Sequence, residues 1–327
     1  MTTKPPYSIV VDAPGGPDQF RVRPIDIPEP PAGFVLVRNT AVGLNYIDTY
    51  HRSGLYPQTM PLVIGMEGAG VVEALGEGVT NIQSGDRVAY VDPIGAYATH
   101  VLRPASRVVT IPDGISDELA AAAMLKGITA HYLLHSTYAI GTDDIIVVHA
   151  AAGGVGQILC QWATAKGATV IGTVGSPKKV AIAKLAGCRY VIDTSSQTLA
   201  ETVRELTGGK GVPVVYDGVG KATFLASLDC LQARGLMVSF GNASGVIDTF
   251  NPALLAAKGS LYLTRPALNT YIASTEELHW RAGDVFAAIN EGALTININA
   301  RYPLSHAALA HSDLEARKTL GSALLIP

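Results

Sequence analysis

Apolar residues follow two different patterns in the two parts of this chain. Between about residues 8 and 110, short apolar runs at 34–38, 70–73 and 87–91 are separated by glycine and proline. Runs of this kind, bounded by turn residues, predict a barrel-like β domain. Ser116 then stands where it can cap a helix that passes through Ala120 and Met124.

From about Leu125 the pattern changes to alternating strands and helices. The predicted strands lie at 145–148, 169–174, 190–193, 213–217, 236–240 and 260–264. The predicted helices between them lie at 154–166, 177–186, 198–206 and 221–232. The end of the chain is mixed, with helical patterns at 276–290 and 305–315 and extended patterns at 300–304 and 323–326.

This order of elements predicts an α/β protein with two domains, which also suits a length of 327 residues. The alternating part, residues 126–264, is predicted to form a doubly wound parallel sheet. Residues 1–125 and 265–327 are predicted to form the β-rich domain. The parallel-sheet domain is therefore inserted into a β domain that both ends of the chain complete.

The segment 145–166 carries the clearest functional signal. A run of β-branched residues meets a turn of small residues, and a helix with one apolar face follows. Glycine lets the backbone approach a pyrophosphate, and the N–H groups at the start of the helix then face the anion. Ala150 or Ala151 replaces the first glycine of the usual fingerprint, but the next strand follows at the right spacing. We predict dinucleotide contacts from Ala152, Gly153, Gly154, Val155 and Gly156.

Composition narrows the possible functions and locations. A net charge of −3 and 16% charged residues argue against a general nucleic-acid surface, which needs a basic excess. We expect neither a membrane span nor a secretory signal. The scattered cysteines Cys160, Cys188 and Cys230 are typical of reduced core thiols, so a cytoplasmic location is expected.

Several motifs occur together in this chain. They lie at 43–50, 52–56, 65–70, 85–87, 126–129, 150–156, 236–242, 264–266 and 321–327. With them the whole chain resembles the medium-chain dehydrogenase/reductase superfamily, and within it the zinc-free quinone oxidoreductases related to ζ-crystallin. The resemblance implies a GroES-like catalytic domain, a Rossmann domain and an active site in the cleft between them. It also implies a small-molecule quinone substrate and a homodimer joined through the strand at 260–264.

Zinc is not expected. In the zinc enzymes of the superfamily, a Cys and a His of these motifs bind the metal. The corresponding residues here are Asn45 and Met66, and neither side chain suits zinc. His131 and His135 are four residues apart on a possible helix, but the other features of a metal-binding helix are missing.

The residues after the strand at 169–174 favour NADPH over NADH. Gly175 and Ser176 follow the strand, and no carboxylate is present to bind a ribose 2′-hydroxyl. The resemblance places the 2′-phosphate at Lys179, for which the alternative is a solvated helix face, with Arg317 nearby. Relatives often have Tyr or His where this chain has Thr194, so the preference for NADPH is expected to be weaker than usual.

The motif at 43–50 supplies most of the candidate catalytic residues. The resemblance assigns Asn45 and Asp48 to the nicotinamide end, although Asp48 is also suited to a hydrogen bond within its loop. Tyr50 and Tyr56 are candidates for the substrate side, with core packing as the alternative. Arg52 is either an electrostatic partner of this site or a surface residue. Further cofactor contacts are expected from Lys126, Thr129, Phe240, Gly241 and Arg265, with anchoring of its own segment as the alternative for Lys126.

The favoured function is therefore reduction of quinones by NADPH, and the sequence leaves open one-electron or two-electron transfer. A reductase of activated alkenes, such as enals or enones, is the alternative within the same class. A cofactor-loaded protein that binds without catalysis is the alternative from another class. The absence of a Ser-His-Asp or Gly-x-Ser-x-Gly arrangement weighs against a hydrolase.

Overall fold

The computed structural model describes residues 5–327. Residues 1–4, which bear on the expectation of no secretory signal, lie outside this range. The chain packs into two units: unit 1 contains the described residues up to Ile128 with Ile272–Glu291 and Ile296–Pro327, and unit 2 contains Thr129–Tyr271 and Gly292–Thr295. The domain boundaries expected after residues 125 and 264 stay predictions.

The strands and α-helices of the described residues have the following bounds. The strands are β1 (Tyr7–Val11), β2 (Phe20–Pro24), β3 (Phe34–Leu44), β4 (Leu62–Val63), β5 (Glu67–Leu75), β6 (Arg87–Val91), β7 (His100–Pro104), β8 (Val108–Thr110), β9 (Ile145–Val148), β10 (Thr169–Val174), β11 (Tyr190–Asp193), β12 (Val212–Asp217), β13 (Leu231–Ser239), β14 (Tyr262–Thr264), β15 (Ile298–Pro303) and β16 (Ser322–Ile326). The helices are α1 (Tyr46–Ser53), α2 (Asp117–Tyr132), α3 (Gly154–Ala165), α4 (Val180–Leu185), α5 (Leu199–Leu206), α6 (Phe224–Cys230), α7 (Ala253–Ala257), α8 (Leu268–Tyr271), α9 (Thr275–Asn290) and α10 (Ala307–Glu315). None of the described helices is long and apolar enough to cross a membrane.

Unit 1 is built on a large, mostly antiparallel sheet with the strand order β15-β16-β3-β5-β6-β8, and β7 also pairs with β3. A small sheet, β2-β1-β4, completes it. Inward-facing residues such as Val37, Val88 and Leu325 are fully buried in one core. This β-rich unit confirms the fold class predicted for the first part of the chain.

Unit 2 contains one parallel sheet with the strand order β11-β10-β9-β12-β13-β14. Counted from the first strand of the unit, this is the Rossmann order 3-2-1-4-5-6. The order reverses between β9 and β12, so a crevice opens beyond the carboxyl ends of these two strands. Val147, Ile171 and Val215 are fully buried in the core beneath. The predicted parallel sheet is thus confirmed.

Several predicted elements have different bounds in the structure, and three of them are instructive. Strand β13 begins at Leu231, because a register shift against β12 lets this buried residue extend the strand toward α6. Strand β14 begins at Tyr262 and not at Ser260, whose φ of 55° is incompatible with an extended strand. The helix predicted near Ser116 does begin there, with the Ser116 hydroxyl accepting from the N–H of Leu119 at 3.2 Å, but it continues to Tyr132.

The three cysteines are buried free thiols, as the sequence predicted. The sulfur atoms of Cys160 and Cys188 are 3.4 Å apart. Burial raises the pKa of Cys160 well above its usual range and that of Cys230 to about 12. Both of these thiols are therefore protonated at neutral pH.

Two glycines allow a test of how tightly the sheet of unit 1 is packed. A Cβ on Gly70 would lie 2.1 Å from the carbonyl oxygen of Arg38, whereas a Cβ on the exposed helical residue Gly283 would contact no atom within 4 Å. We expect Gly70→Ala to lower the free energy of unfolding by about 3 kcal/mol. Gly283→Ala should raise it by roughly 0.5–1 kcal/mol, because alanine favours a helix interior. Urea unfolding measures both, and equal effects would contradict this packing.

Candidate functional site

The carboxyl edge of the parallel sheet in unit 2 brings together many of the predicted cofactor residues. All six strands point in the same direction, so the segments that follow them meet at one edge. These segments contain Ala152–Gly156 after β9, Gly175 and Ser176 after β10, Thr194 after β11, Phe240 and Gly241 after β13, and Arg265 after β14.

The turn after β9 has the tight geometry that its small residues predicted. Ala150 has a φ of 51°, and its carbonyl oxygen accepts from the N–H of Gly153 at 2.8 Å. A Cβ on Gly156 would lie 2.2 Å from the same oxygen, so only glycine fits there. Helix α3 begins at Gly154, and the N–H groups of its first turn point out of the helix without intrahelical partners. The turn therefore offers a cradle for a phosphate.

The residues expected to select the cofactor surround the end of β10. The backbone N–H and the hydroxyl of Thr194 both donate to the carbonyl of Val174, at 2.9 and 3.1 Å. The N–H of Lys179 donates to the carbonyl of Ser176 at 3.1 Å. A Cβ on Gly175 would meet no atom within 4 Å, so there is space beside this turn.

The loops after β12 and β13 are in close backbone contact. The N–H of Phe240 donates to the carbonyl of Asp217 at 2.8 Å, and a Cβ on Gly241 would lie 2.3 Å from the carbonyl oxygen of Gly218. The Arg265 guanidinium donates to the carbonyl of Ser239 at 2.7 Å. Arg265 therefore holds the end of β13, whatever further contact it makes.

In unit 1, a buried carboxylate organises the residues near the start of α1. Glu67 is completely buried, and it accepts from Asn45 Nδ2 at 2.8 Å, from Lys126 Nζ at 2.9 Å and from the N–H of Leu125 at 2.6 Å. A carboxylate only accepts hydrogen bonds, so the amide of Asn45 must turn its nitrogen toward Glu67. The Asn45 oxygen then faces the N–H of Asp48 in the capping box of α1, and its second lone pair is the acceptor that the side chain can offer to a ligand.

Asp48 is the second buried carboxyl group of this region, and it is completely inaccessible. Its Oδ2 atom accepts from the backbone N–H of Asn45 at 2.9 Å and from the Tyr97 hydroxyl at 3.1 Å. Burial raises the pKa of Asp48 to about 7, and the two hydrogen bonds lower it in part. The hydrogen bond within the loop that the sequence allowed for Asp48 is therefore present, and it ties Asp48 to the N-terminus of α1.

A chain of hydrogen bonds leads from Asp48 to the surface. The Tyr97 hydroxyl is 3.0 Å from His311 Nε2, and His311 Nδ1 is 3.0 Å from Arg52 Nη1. Arg52 also pairs with Glu315, at 2.7 Å from Nη2 to Oε1. Burial and the Arg52 charge lower the pKa of His311 to about 3, so the imidazole is neutral. Arginine only donates, so each hydrogen in the series Arg52, His311, Tyr97 points toward Asp48.

The other candidates of this region are Arg52, Tyr50 and Tyr56, and they differ in how far they are buried. Arg52 is not a surface residue, because only 2% of its side chain is exposed and Glu315 compensates its charge. The rings of Tyr50 and Tyr56 are in edge-to-face contact, with their centroids 5.1 Å apart. Tyr50 is buried and Tyr56 is half-buried, so core packing describes Tyr50 better than Tyr56.

Thr129 and Arg317 are the two remaining candidates for cofactor contacts. Thr129 is a buried residue of α2. Arg317 follows α10 with a φ of 57°, and its N–H donates to the carbonyl of Leu314 at 3.0 Å. Their assignment to the cofactor stays a prediction.

Comparisons with known proteins agree with this geometry. Residues 31–113 match the family described as alcohol dehydrogenase GroES-like domain, and residues 154–276 match the family described as zinc-binding dehydrogenase. A quinone oxidoreductase of Pseudomonas aeruginosa is 51% identical over 316 residues, which are 96% of this chain and 97% of that protein. The chain belongs to the quinone oxidoreductase family of the medium-chain dehydrogenases/reductases.

Two further relatives of the family bear on its chemistry. The crystal structure of Escherichia coli quinone oxidoreductase complexed with NADPH superposes with a TM-score of 0.96 at 46% identity, covering 98% of this chain and 100% of that one. A 2-haloacrylate reductase of a Burkholderia species is 44% identical over 326 residues, which are 97% of this chain and 98% of that protein.

Zinc does not fit the residues of this chain. Asn45 and Met66 stand where the zinc enzymes have ligands, and the amide nitrogen of Asn45 is turned toward Glu67. Glu67 in turn is neutralised by the ammonium group of Lys126. Across residues 5–327, no group of three His, Cys, Asp or Glu side chains is placed to hold a metal. The rings of His131 and His135 stack on each other, with centroids 4.3 Å apart.

Sequence reasoning missed the residues that hold this site together. Glu67 lies in the motif at 65–70 and was given no role, although an acid among glycines and apolar residues is a signal of a buried carboxylate. Tyr97 and His311 gave no such signal. His311 lies 259 positions from Arg52, and only the tertiary fold brings them together.

The pKa of Asp48 predicts how the stability of the protein depends on pH. The carboxyl group keeps its proton in the folded state up to about pH 7, whereas its ordinary pKa is 3.8, so wild-type stability decreases as the pH rises between these values. Asparagine at position 48 can accept the same two hydrogen bonds and does not ionise. We therefore expect the stability of Asp48→Asn relative to wild type to increase by on the order of 3 kcal/mol between pH 4 and pH 8.

Urea unfolding across this pH range measures the difference. Glu29→Gln, at an exposed carboxylate, is the control for the loss of one negative charge. In Tyr97→Phe the loss of stability caused by ionisation of Asp48 should extend to higher pH, because the Tyr97 hydroxyl lowers the pKa of Asp48. A constant difference between Asp48→Asn and wild type would contradict the raised pKa.

Proposed function

We propose that this protein reduces quinones with NADPH, without a metal ion. The observation that carries the proposal is a combination of two features. A phosphate-binding turn follows β9, where the strand order of the parallel sheet reverses. Asn45, where the zinc enzymes have a ligand, is instead an amide held by the ion pair of Glu67 and Lys126. The quinone oxidoreductases at about half sequence identity support the same reaction. Bound NADPH would supply the hydride, and the protein supplies binding, orientation and exclusion of water.

The residues present fit the cofactor. The turn Ala152–Gly156 and the start of α3 offer N–H groups to the pyrophosphate. Beside the end of β10 there is space at Gly175, and Ser176, Lys179 and Thr194 are the groups of unit 2 proposed to receive the 2′-phosphate. A lysine suits this phosphate, because it supplies a positive charge and three donors.

At the nicotinamide end we assign the main role to Asn45. Its amide nitrogen is held by Glu67, and its oxygen has two lone pairs, so beside the capping contact with the N–H of Asp48 it can accept from the carboxamide N–H group of the cofactor. Asp48 is completely buried, and its role is to fix the backbone of Asn45. At the nicotinamide end Asp48 therefore acts through Asn45, and Tyr56, which is half-buried and carries a hydroxyl, is the candidate for the substrate side.

Reduction of an activated alkene is the second candidate function. The 2-haloacrylate reductase at 44% identity is the observation that favours it. In both reactions a hydride reaches a carbon or oxygen conjugated with a carbonyl group, and the shape of the substrate pocket decides which acceptor is used.

We also propose a cytoplasmic homodimer. The three cysteines are free thiols, which suits a reducing compartment. Strand β14 lies at the edge of the parallel sheet, and Tyr262 on it is 62% exposed. An edge strand with an exposed aromatic side chain can pair with the same strand of a second copy.

Turnover assays distinguish the two acceptors. We expect oxidation of NADPH with 1,4-benzoquinone to have a higher kcat/KM than oxidation of NADH, and both to exceed turnover of 2-chloroacrylate. The loss of absorbance of the reduced nicotinamide measures all three. Turnover of 2-chloroacrylate alone would favour the alkene reductase, and no turnover despite tight NADPH binding would contradict both functions.

The 2′-phosphate assignment predicts a loss of cofactor selectivity. Lys179→Ala should lower kcat/KM for NADPH by about tenfold and change that for NADH by less than about twofold, since only NADPH carries the phosphate. Lys184→Ala removes an exposed lysine of α4 and is the matched control. Equal losses with the two cofactors would show that Lys179 does not contact the 2′-phosphate.

The dimer proposal predicts that a charge on β14 separates the subunits. We expect light scattering after size exclusion to give twice the mass of 34.1 kDa for wild type and the monomer mass for Tyr262→Asp. Leu185→Asp, at a residue of α4 that is 88% exposed, is the control and should remain dimeric. A dimeric Tyr262→Asp variant would place the interface elsewhere.

A further inference from the structure

A second buried polar chain lies directly beneath the phosphate-binding turn. His149 Nδ1 is 3.0 Å from the Thr173 hydroxyl, and His149 Nε2 is 2.9 Å from the Ser227 hydroxyl. Ser227 is in turn 3.1 Å from the Asp217 carboxylate. All four residues are buried, and they connect the carboxyl ends of β9, β10 and β12 with α6.

Two acceptors on one side of Ser227, the Asp217 carboxylate and the carbonyl of Thr223, set the direction of the hydrogen bonds in this chain. The Asp217 carboxylate accepts from the N–H groups of Val219 and Gly220 and from the Thr223 hydroxyl, and Ser227 is the remaining donor within reach. The Ser227 hydroxyl has two acceptors within reach, Asp217 Oδ2 at 3.1 Å and the carbonyl oxygen of Thr223 at 2.8 Å, and donation to either of them leaves its oxygen to accept from His149 Nε2–H. The lone pair of His149 Nδ1 then accepts from Thr173.

The imidazole of His149 is therefore neutral, with one defined tautomer. Burial lowers the pKa of His149, and the Asp217 carboxylate offsets part of this effect. Both ring nitrogens have a partner of the right kind. A buried polar network in which every member is satisfied holds its elements in one arrangement, because any displacement leaves a buried group unpaired.

The chain is coupled to the turn through the backbone. His149 donates its N–H to the carbonyl of Tyr216 at 3.0 Å, and Ala151 donates to the carbonyl of Thr173 at 3.0 Å. Ala150, between them, has a φ of 51°, which an alanine adopts only when its neighbours are firmly held. The carbonyl of Ala150 is the group against which Gly153 and Gly156 pack.

We infer that His149 is a positioning residue for the cofactor: with Thr173, Ser227 and Asp217 it sets the place of the turn that receives the pyrophosphate. This inference rests on the proposed binding of NADPH. His149 is buried under the turn and acts through Ala150, without touching the cofactor. Its main effect is expected at the pyrophosphate, because His149 directly precedes Ala150 in the turn, whereas the groups assigned to the 2′-phosphate follow β10 and β11.

Two ligands separate this role from general stabilisation. NADPH contains the pyrophosphate, whereas adenosine 2′-monophosphate contains the adenosine and the 2′-phosphate without it. Thr173→Val keeps the shape of the side chain and removes the donor to His149, and Thr173→Ser restores the hydroxyl. Ser227→Ala breaks the same chain on the other side of the ring.

We expect Thr173→Val and Ser227→Ala each to raise the Kd of NADPH about fivefold to twentyfold, as for the loss of a buried hydrogen bond. The Kd of adenosine 2′-monophosphate should change by less than about twofold, and Thr173→Ser should restore NADPH binding. The double variant should bind little more weakly than either single variant, because one broken link already releases the ring. Isothermal titration calorimetry measures all of these constants.

Two results would overturn the inference. Unchanged NADPH binding in both variants would show that the turn is placed without this chain. Equal weakening of both ligands would show a general loss of order in unit 2. A wild-type protein that binds adenosine 2′-monophosphate but not NADPH would instead refute the cofactor proposal itself, and it would remove the basis for the role of His149.

Discussion

The burial of the Glu67 carboxylate is the constraint on which the arrangement of unit 1 depends. A carboxylate without solvent must be fully hydrogen-bonded and compensated in charge, or it would protonate or unfold its surroundings. Here an amide, an ammonium group and a backbone N–H meet this requirement together. These three donors come from the segment after β3 and from α2, so the single charge fixes the relative position of both. The orientation of the Asn45 amide follows from it.

The same physical rule operates in unit 2 with another carboxylate. Asp217 aligns hydroxyl groups and an imidazole into a chain with one direction, as Arg52 does at the opposite end of a chain in unit 1. In each case a group at the end of the chain that can act in only one hydrogen-bonding role prevents the neutral groups from reversing their hydrogen bonds. A fold that binds a large, flexible cofactor gains from such fixed groups, because less order must be imposed when the ligand arrives.

Local patterns were enough to predict the architecture, and long-range contacts explain what they missed. Strand β9, the small-residue turn and α3 are adjacent in the sequence, so their apolar periodicity and glycines already describe the corner that they form. Arg52 was ambiguous, because its partners His311 and Glu315 lie near the other end of the chain. The extent of β13 was underestimated, since a register shift against a neighbouring strand leaves no mark in hydropathy. Burial of Glu67 could have been suspected from its apolar neighbours, but its donors could not.

The burial of the three cysteines has a chemical consequence for a protein that handles quinones. Quinones are electrophiles, and they add to thiolates to form stable thioethers. Addition requires both an accessible sulfur and the deprotonated form, and the sulfur atoms here are buried, with the thiols of Cys160 and Cys230 protonated at neutral pH. The core of unit 2 thus keeps the thiol groups out of contact with quinones. The protein is thereby protected from covalent modification by its own substrate.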